Sequence, residues 1–105
     1  MNNRYVDSHV HFWNPGVIDY PWLSGAPAIS RPTFPADLDE TRQGLSHELA
    51  GIVFVEADCA PEQALAEAEW VTSLTSQEPR IRGIVAHAPL QKGEAVRDEL
   101  SALQA

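Results

Sequence analysis

Hydrophobic and polar positions along this chain change period repeatedly, and the changes mark out six elements. From Tyr5 to Val10 apolar and aromatic residues alternate with polar ones at a period of two, which predicts a β-strand. Strict alternation would put Asp7, His9 and His11 on one cavity-lining face, with Val6, Ser8 and Val10 packed under helices on the other. Val17 to Pro35 has no period, and Pro21, Pro27, Pro32 and Pro35 break any regular element there. A helix is predicted from Pro35, with Asp37, Asp39 and Glu40 near its positive end and Leu38, Leu45 and Leu49 at roughly helical spacing. Gly51 then punctuates, and Ile52-Val53-Phe54-Val55-Glu56 is a nearly continuous apolar run, as in a parallel strand covered on both sides.

Asp58 to Glu62 opens a second helix, with Pro61 in its first turn. Ala64, Ala68, Val71 and Thr75 form its apolar stripe, widened by Leu65 and Leu74, and Gln77-Glu78-Pro79 stops it. Ile81 to Ala86 reads as a third strand ending at His87. Lys92 to Leu103 reads as a third helix, with Val96, Leu100 and Leu103 at helical spacing. The order βαβαβα predicts parallel strands joined by helical crossovers. Helices on one side only would leave an apolar sheet face, carrying Phe54, Val85 or their neighbours, for water or another chain to meet.

Composition narrows the function classes. Of 105 residues 44% are hydrophobic, enough for one packed domain and too many for a disordered chain. The net charge of −8 argues against nucleic acid and anionic membrane surfaces as partners. No apolar run approaches the ~20 residues of a membrane span, and no apolar signal segment precedes the first strand, so a cytoplasmic protein is expected. Cys59, the single cysteine, has no internal disulfide partner and no adjacent base that would make it a nucleophile.

The candidate chemistry gathers at the strand ends. His9 and His11, two residues apart, can both reach one ion, and neutral imidazole is the commonest transition-metal ligand. A bare His-x-His is also a common surface pair; here Asp7 and the aromatic run Phe12-Trp13 flank it. Glu56 and His87 end the second and third strands, where parallel α/β folds collect ligands. Glu56 could equally be a solvated strand cap, and His87 plain packing between Ala86 and Ala88. Phe12, Trp13, Tyr20, Trp22 and Phe34 give the long loop hydrophobic anchors, either for a binding loop or for a plug.

Val6-Asp7-Ser8-His9-Val10-His11-Phe12-Trp13-Asn14-Pro15, followed by Tyr20-Pro21-Trp22-Leu23, resembles the amino-terminal signature of the amidohydrolase superfamily. More narrowly it is similar to the amidohydrolase-related branch of sugar and dicarboxylate lactonases, such as fuconolactonase-like enzymes. Val53 to Asp58 and Gly83 to Leu90 resemble that branch's second and third strands. The resemblance implies an α/β fold, a (β/α)₈ barrel, that opens a lactone or related cyclic ester with an activated water. It implies catalytic roles for His9, His11 and Glu56, with the two histidines holding a divalent metal such as zinc, or polarising the substrate carbonyl where members are metal-independent. Trp13, Trp22 and His87 would contact a small lactone or carboxylated sugar acid, although His87 stands where the branch often has an aromatic.

Length departs from the family. A complete barrel takes ~250 residues, so residues 1–105 are expected to be the amino-terminal part of such a domain, its first three βα units. The family's later histidines and its last-strand aspartate, the expected general base, have no positions here. Little hydrolysis is therefore expected of this chain alone, and self-association or a complementary chain is expected to cover the open face. Two other readings stand beside the hydrolase: a non-catalytic binding or interaction fragment of such a barrel, and a related metal-dependent decarboxylase.

Overall fold

A computed structural model describes residues 3–104. Three strands, β1 (Arg4–Val10), β2 (Glu48–Val55) and β3 (Ile81–Val85), form one parallel sheet in the order β1-β2-β3. Three helices follow them in turn: α1 (Pro35–Thr41), α2 (Ala64–Leu74) and α3 (Arg97–Gln104). This mixed α/β architecture with a three-stranded parallel sheet matches the expected strand order and is consistent with a piece of a larger barrel. No helix among the described residues is long and apolar enough to cross a membrane.

The helix-covered face of the sheet holds the main core. Val10, Phe12, Leu49, Ile52, Phe54, Ile81 and Val71 of α2 are buried together, with Tyr5, Leu38, Trp70, Leu74 and Ile84 packed at the margin. Phe54 and Ile52 are fully buried. Phe54 therefore lies under the helices, not on the open face where it was expected, while Val85 is 52% exposed as anticipated.

Two irregularities decide which way β1 points its side chains. In a parallel pair, residues in register share a face. Tyr5 pairs with Leu49 but Val6 with Gly51, so Ala50 is an extra residue in β2; Asp7 then pairs with Ile52 and Val10 with Phe54, so β1 carries an extra residue after Asp7. Tyr5 and Asp7 thus share the helix side with Leu49 and Ile52, and Val6, 58% exposed, lies on the open side with Gly51. The expected placement of Asp7 and Val6 is reversed, and the second bulge returns Val10 to the helix side as expected. Gly51 suits its place because a Cβ there would sit 3.2 Å from Val6 Cγ2.

Two helices differ from their periodicity. α1 stops at Thr41, Gly44 turns with a φ of 89°, and Leu49 belongs to β2 while Leu45 is 61% exposed. A left-handed turn is cheap only for glycine, and it ends the helix before the leucine repeat can continue. Asp37 accepts the Phe34 N–H at 2.8 Å, the reciprocal half of a capping box. The third helix is interrupted by Gly93 at φ 62°, so a 3₁₀ stretch at Leu90–Val96 precedes α3. In α2 the stripe turns Leu65 outward, 40% exposed.

The aromatic loop is built, not slack. Pro21–Gly25 and Pro27–Ile29 form 3₁₀ turns, each started by a proline. Ile18, Tyr20 and Leu23 bury with Ala57 and Cys59 into a second small core, edged by Trp13 and Trp22. An isolated bridge joins Trp13 to Thr33, and the Trp13 indole donates to the Ile29 carbonyl at 3.1 Å. Further hydrogen bonds pin the loop to the start of α2: Ala60 N–H to the Asp19 carbonyl at 2.8 Å, and Asp19 N–H to Gln63 Oε1 at 2.5 Å.

Candidate active site

A cavity of about 380 Å³ opens at the carboxyl ends of β1 and β2, lined by His11, Trp13, Trp22, Glu56, Ala57 and Asp58. Each wall has a structural cause. β1 ends at Val10, and the next residues are delivered one to each side: Phe12 into the core and His11 into the cavity. β2 ends at Val55, and Glu56 follows while its own N–H still donates to the Val85 carbonyl at 2.9 Å. The loop core brings in Trp13 and Trp22, whose rings meet edge to face with centroids 5.5 Å apart. Trp22 is fixed again by its indole N–H, which donates to the Ala57 carbonyl at 2.8 Å.

His9 and His11 stand together, their rings T-shaped at 5.0 Å. His11 Nδ1 lies 2.9 Å from the Val55 carbonyl, just past the last register pair of β1 and β2. A carbonyl only accepts, so Nδ1 carries a proton, and the neutral form of the ring then presents an unprotonated Nε2. Such a ring accepts a proton or binds a cation; it polarises a carbonyl only when fully protonated. A backbone carbonyl on the far nitrogen is also the usual outer support of a metal-binding histidine. Among the described residues, however, no group of three or more His, Cys, Asp or Glu side chains could hold a metal ion. A catalytic zinc takes three protein ligands, and the two adjacent rings here are His9 and His11. Asp7 does not add a third ligand: it lies on the helix side, and its Oδ1 accepts the His9 N–H at 3.1 Å.

Glu56 Oε2 accepts the Asp58 N–H at 3.0 Å across a tight turn in which Asp58 has a φ of 56°, a left-handed conformation that aspartate tolerates better than most. Glu56 lines the cavity from this turn. Cys59 is buried, and desolvation together with Glu67 and Glu56 pushes its thiol up to about 12, so it stays protonated and is no nucleophile.

His87 is set apart. It lines a separate groove of about 570 Å³ between the start of α2 and α3, with Pro61, Leu65, Asp98 and Leu103. Sequence reasoning passed over Glu67. It is buried at 1% exposure on α2, and burial raises its pKa, with the Ala57 N–H bond opposing. One signal was available: Glu67 falls between Ala64 and Val71 on the apolar stripe, where a charge is out of place.

No protein-family model matches the chain, and no curated protein matches it significantly. Among solved structures it is similar to amidohydrolase 2 from Bifidobacterium longum subsp. infantis, at 26% identity and a TM-score of 0.72. The likeness covers 85% of this chain and 34% of that one, so the chain spans about a third of that protein's length. A parallel sheet with a cavity at its carboxyl edge, on a backbone this close to an amidohydrolase, supports membership in that hydrolase family.

Proposed function

We propose that this chain is the amino-terminal part of an amidohydrolase-related (β/α)₈ barrel whose reaction opens a lactone or similar cyclic ester with water. The observation that carries the reading is His11: its proton is committed to the Val55 carbonyl, so its free Nε2 faces a cavity walled by Glu56, Trp13 and Trp22. In that site Nε2 takes the proton of an attacking water and returns it to the ring oxygen released as the acyl–oxygen bond breaks, Glu56 orients the water or a ring hydroxyl, and the tryptophans seat the ring and exclude bulk solvent. His9 stands beside His11, and where a cation is bound the two rings would hold it in place of the base role, because His11 has only one free nitrogen. A divalent ion, if bound, would supply Lewis-acid activation, with its further ligands coming from outside these residues. Trp13 and Trp22 are the substrate-contacting side chains for a small lactone or carboxylated sugar acid; His87, in its separate groove, has no contact with this cavity.

The open sheet face favours a second component of the proposal. Val6 and Val85 are exposed there, beside the half-buried Val53 and Val55. The chain is also extended, with a radius of gyration of 15.2 Å against about 13 Å for a compact domain of this length. We infer that this face is completed by further βα units and that hydrolysis requires them.

The test is a chimera in which residues 3–104 replace the corresponding third of the Bifidobacterium amidohydrolase, assayed on a panel of sugar lactones with and without added zinc. Turnover by the chimera, lost in His11→Ala and absent from the 105-residue chain alone, is the expected result. A folded chimera that is inert on every lactone, or whose turnover survives His11→Ala, would overturn the reading.

A further inference from the structure

Glu67 is the one buried charged side chain among the described residues, and nothing in the reaction above uses it. It lies on the face of α2 that packs against the sheet, in a row with the fully buried Val71. Burying a carboxylate is costly unless it is hydrogen-bonded, and an apolar side chain of similar size would fill the place without that cost. The fold alone therefore gives no reason for an acid at this position.

Its contacts do. Glu67 Oε2 accepts the Ala57 N–H at 3.2 Å, and the Ala57 carbonyl accepts the Trp22 indole N–H at 2.8 Å. Ala57 follows Glu56 and precedes Asp58, whose left-handed turn is closed by Glu56. Three walls of the cavity thus hang on one residue whose N–H is held from below. The buried Tyr20 hydroxyl also lies against Glu67, so the carboxylate is bordered by the aromatic loop as well as by β2.

We propose that Glu67 is a positioning residue of the candidate site: from beneath the sheet it fixes Ala57, and through Ala57 it sets Trp22 and the turn that carries Glu56. The role presupposes that the cavity is the ligand site, but its geometry does not depend on which reaction occurs there.

The experiment compares the full chain with Glu67→Gln and Glu67→Leu by amide hydrogen exchange and by the Trp22 indole N–H resonance, with no ligand present. Glutamine keeps an acceptor, so the Ala57 amide stays protected and the indole signal stays in place. Leucine keeps the volume and removes the acceptor: the Ala57 amide exchanges about tenfold faster or more, and the Trp22 signal moves, while core amides of β2 and β3 hold their protection. Leucine leaving both signals unchanged, glutamine behaving like leucine, or loss of core protection in Glu67→Leu would each overturn the proposal; the last would make Glu67 a support of the core. Because no ligand is involved, an inert chimera and a failed exchange experiment are separate results.

Discussion

Replacing Arg80 with methionine should cost about 2 kcal/mol at neutral pH and nearly nothing in acid. Arg80 stands just before β3 and holds two carboxylates with one guanidinium. Its Nη1 and Nη2 donate to the Asp39 carboxylate of α1 at 2.9 and 2.8 Å, and its Nε donates to Glu78 Oε1 at 2.6 Å. α1 has only seven residues, too few to persist by itself, so this fork is one of the attachments that keep it on the sheet. The Asp39 arm is half exposed and is worth about 0.5 kcal/mol after solvent screening. The Glu78 arm, with its partners 26% and 17% exposed, is worth about 1.5 kcal/mol. Hydrogen bonds from Arg80 come first among the causes that lower both carboxyl pKa values, and the two carboxylates in turn raise that of the guanidinium. Groups whose folded pKa is depressed stabilise the fold above their unfolded values, near 4, and that stability is lost as pH falls through the lower folded values. The difference between wild type and Arg80→Met should therefore be full at pH 7 and vanish as pH drops well below about 4. Urea unfolding followed by tryptophan fluorescence, at protein concentrations where the midpoint is concentration-independent, measures both limbs. A destabilisation equal at pH 7 and pH 3 would show that the arginine stem, not its charge, does the holding.

Phe54→Ala should cost about 3–5 kcal/mol in the same assay, because Phe54 is fully buried and stacked on Phe12 with centroids 6.3 Å apart; a loss below 1 kcal/mol would mean the core is not centred there. Lysine at both Val6 and Val85 should shift sedimentation toward monomer, since these are the exposed valines of the open sheet face; an unchanged profile would remove that face from any association. Gly44→Ala should cost about 1 kcal/mol through the φ of 89° alone, because no atom lies within 4 Å of the added methyl; a neutral thermal melt would show that the turn relaxes.

The strands were legible because their residue types are unambiguous: β-branched and apolar runs at Tyr5–Val10, Ile52–Val55 and Ile81–Val85 lie within the observed strands. What periodicity could not carry was direction across a bulge. The extra residue at Ala50 and the one after Asp7 leave no compositional mark, yet the first puts Leu49 on the face of Ile52 and the second puts Asp7 on the face of Val10. Leu45 and Leu49 fit a helical repeat as well as any pair in the chain, and only the left-handed turn at Gly44 decided against it. Of the candidate site residues, His11, Trp13, Trp22 and Glu56 share one cavity and His9 adjoins it, whereas His87 faces elsewhere. A strand-end position gives the height of a residue along the sheet but not the direction of its side chain. Glu67 escaped because a glutamate on a helix is ordinarily read as solvated, even on an apolar stripe.

The contact between His11 and the Val55 carbonyl ties side-chain chemistry to strand pairing. The proton on Nδ1 stays there only while β1 and β2 keep their present offset, since a slip of one residue would bring a different backbone group opposite the ring. The imidazole thus works as a gauge of sheet alignment: its tautomer records whether the two strands are seated. Nitrogen chemical shifts of this one ring would report correct pairing of β1 with β2 before any substrate is known.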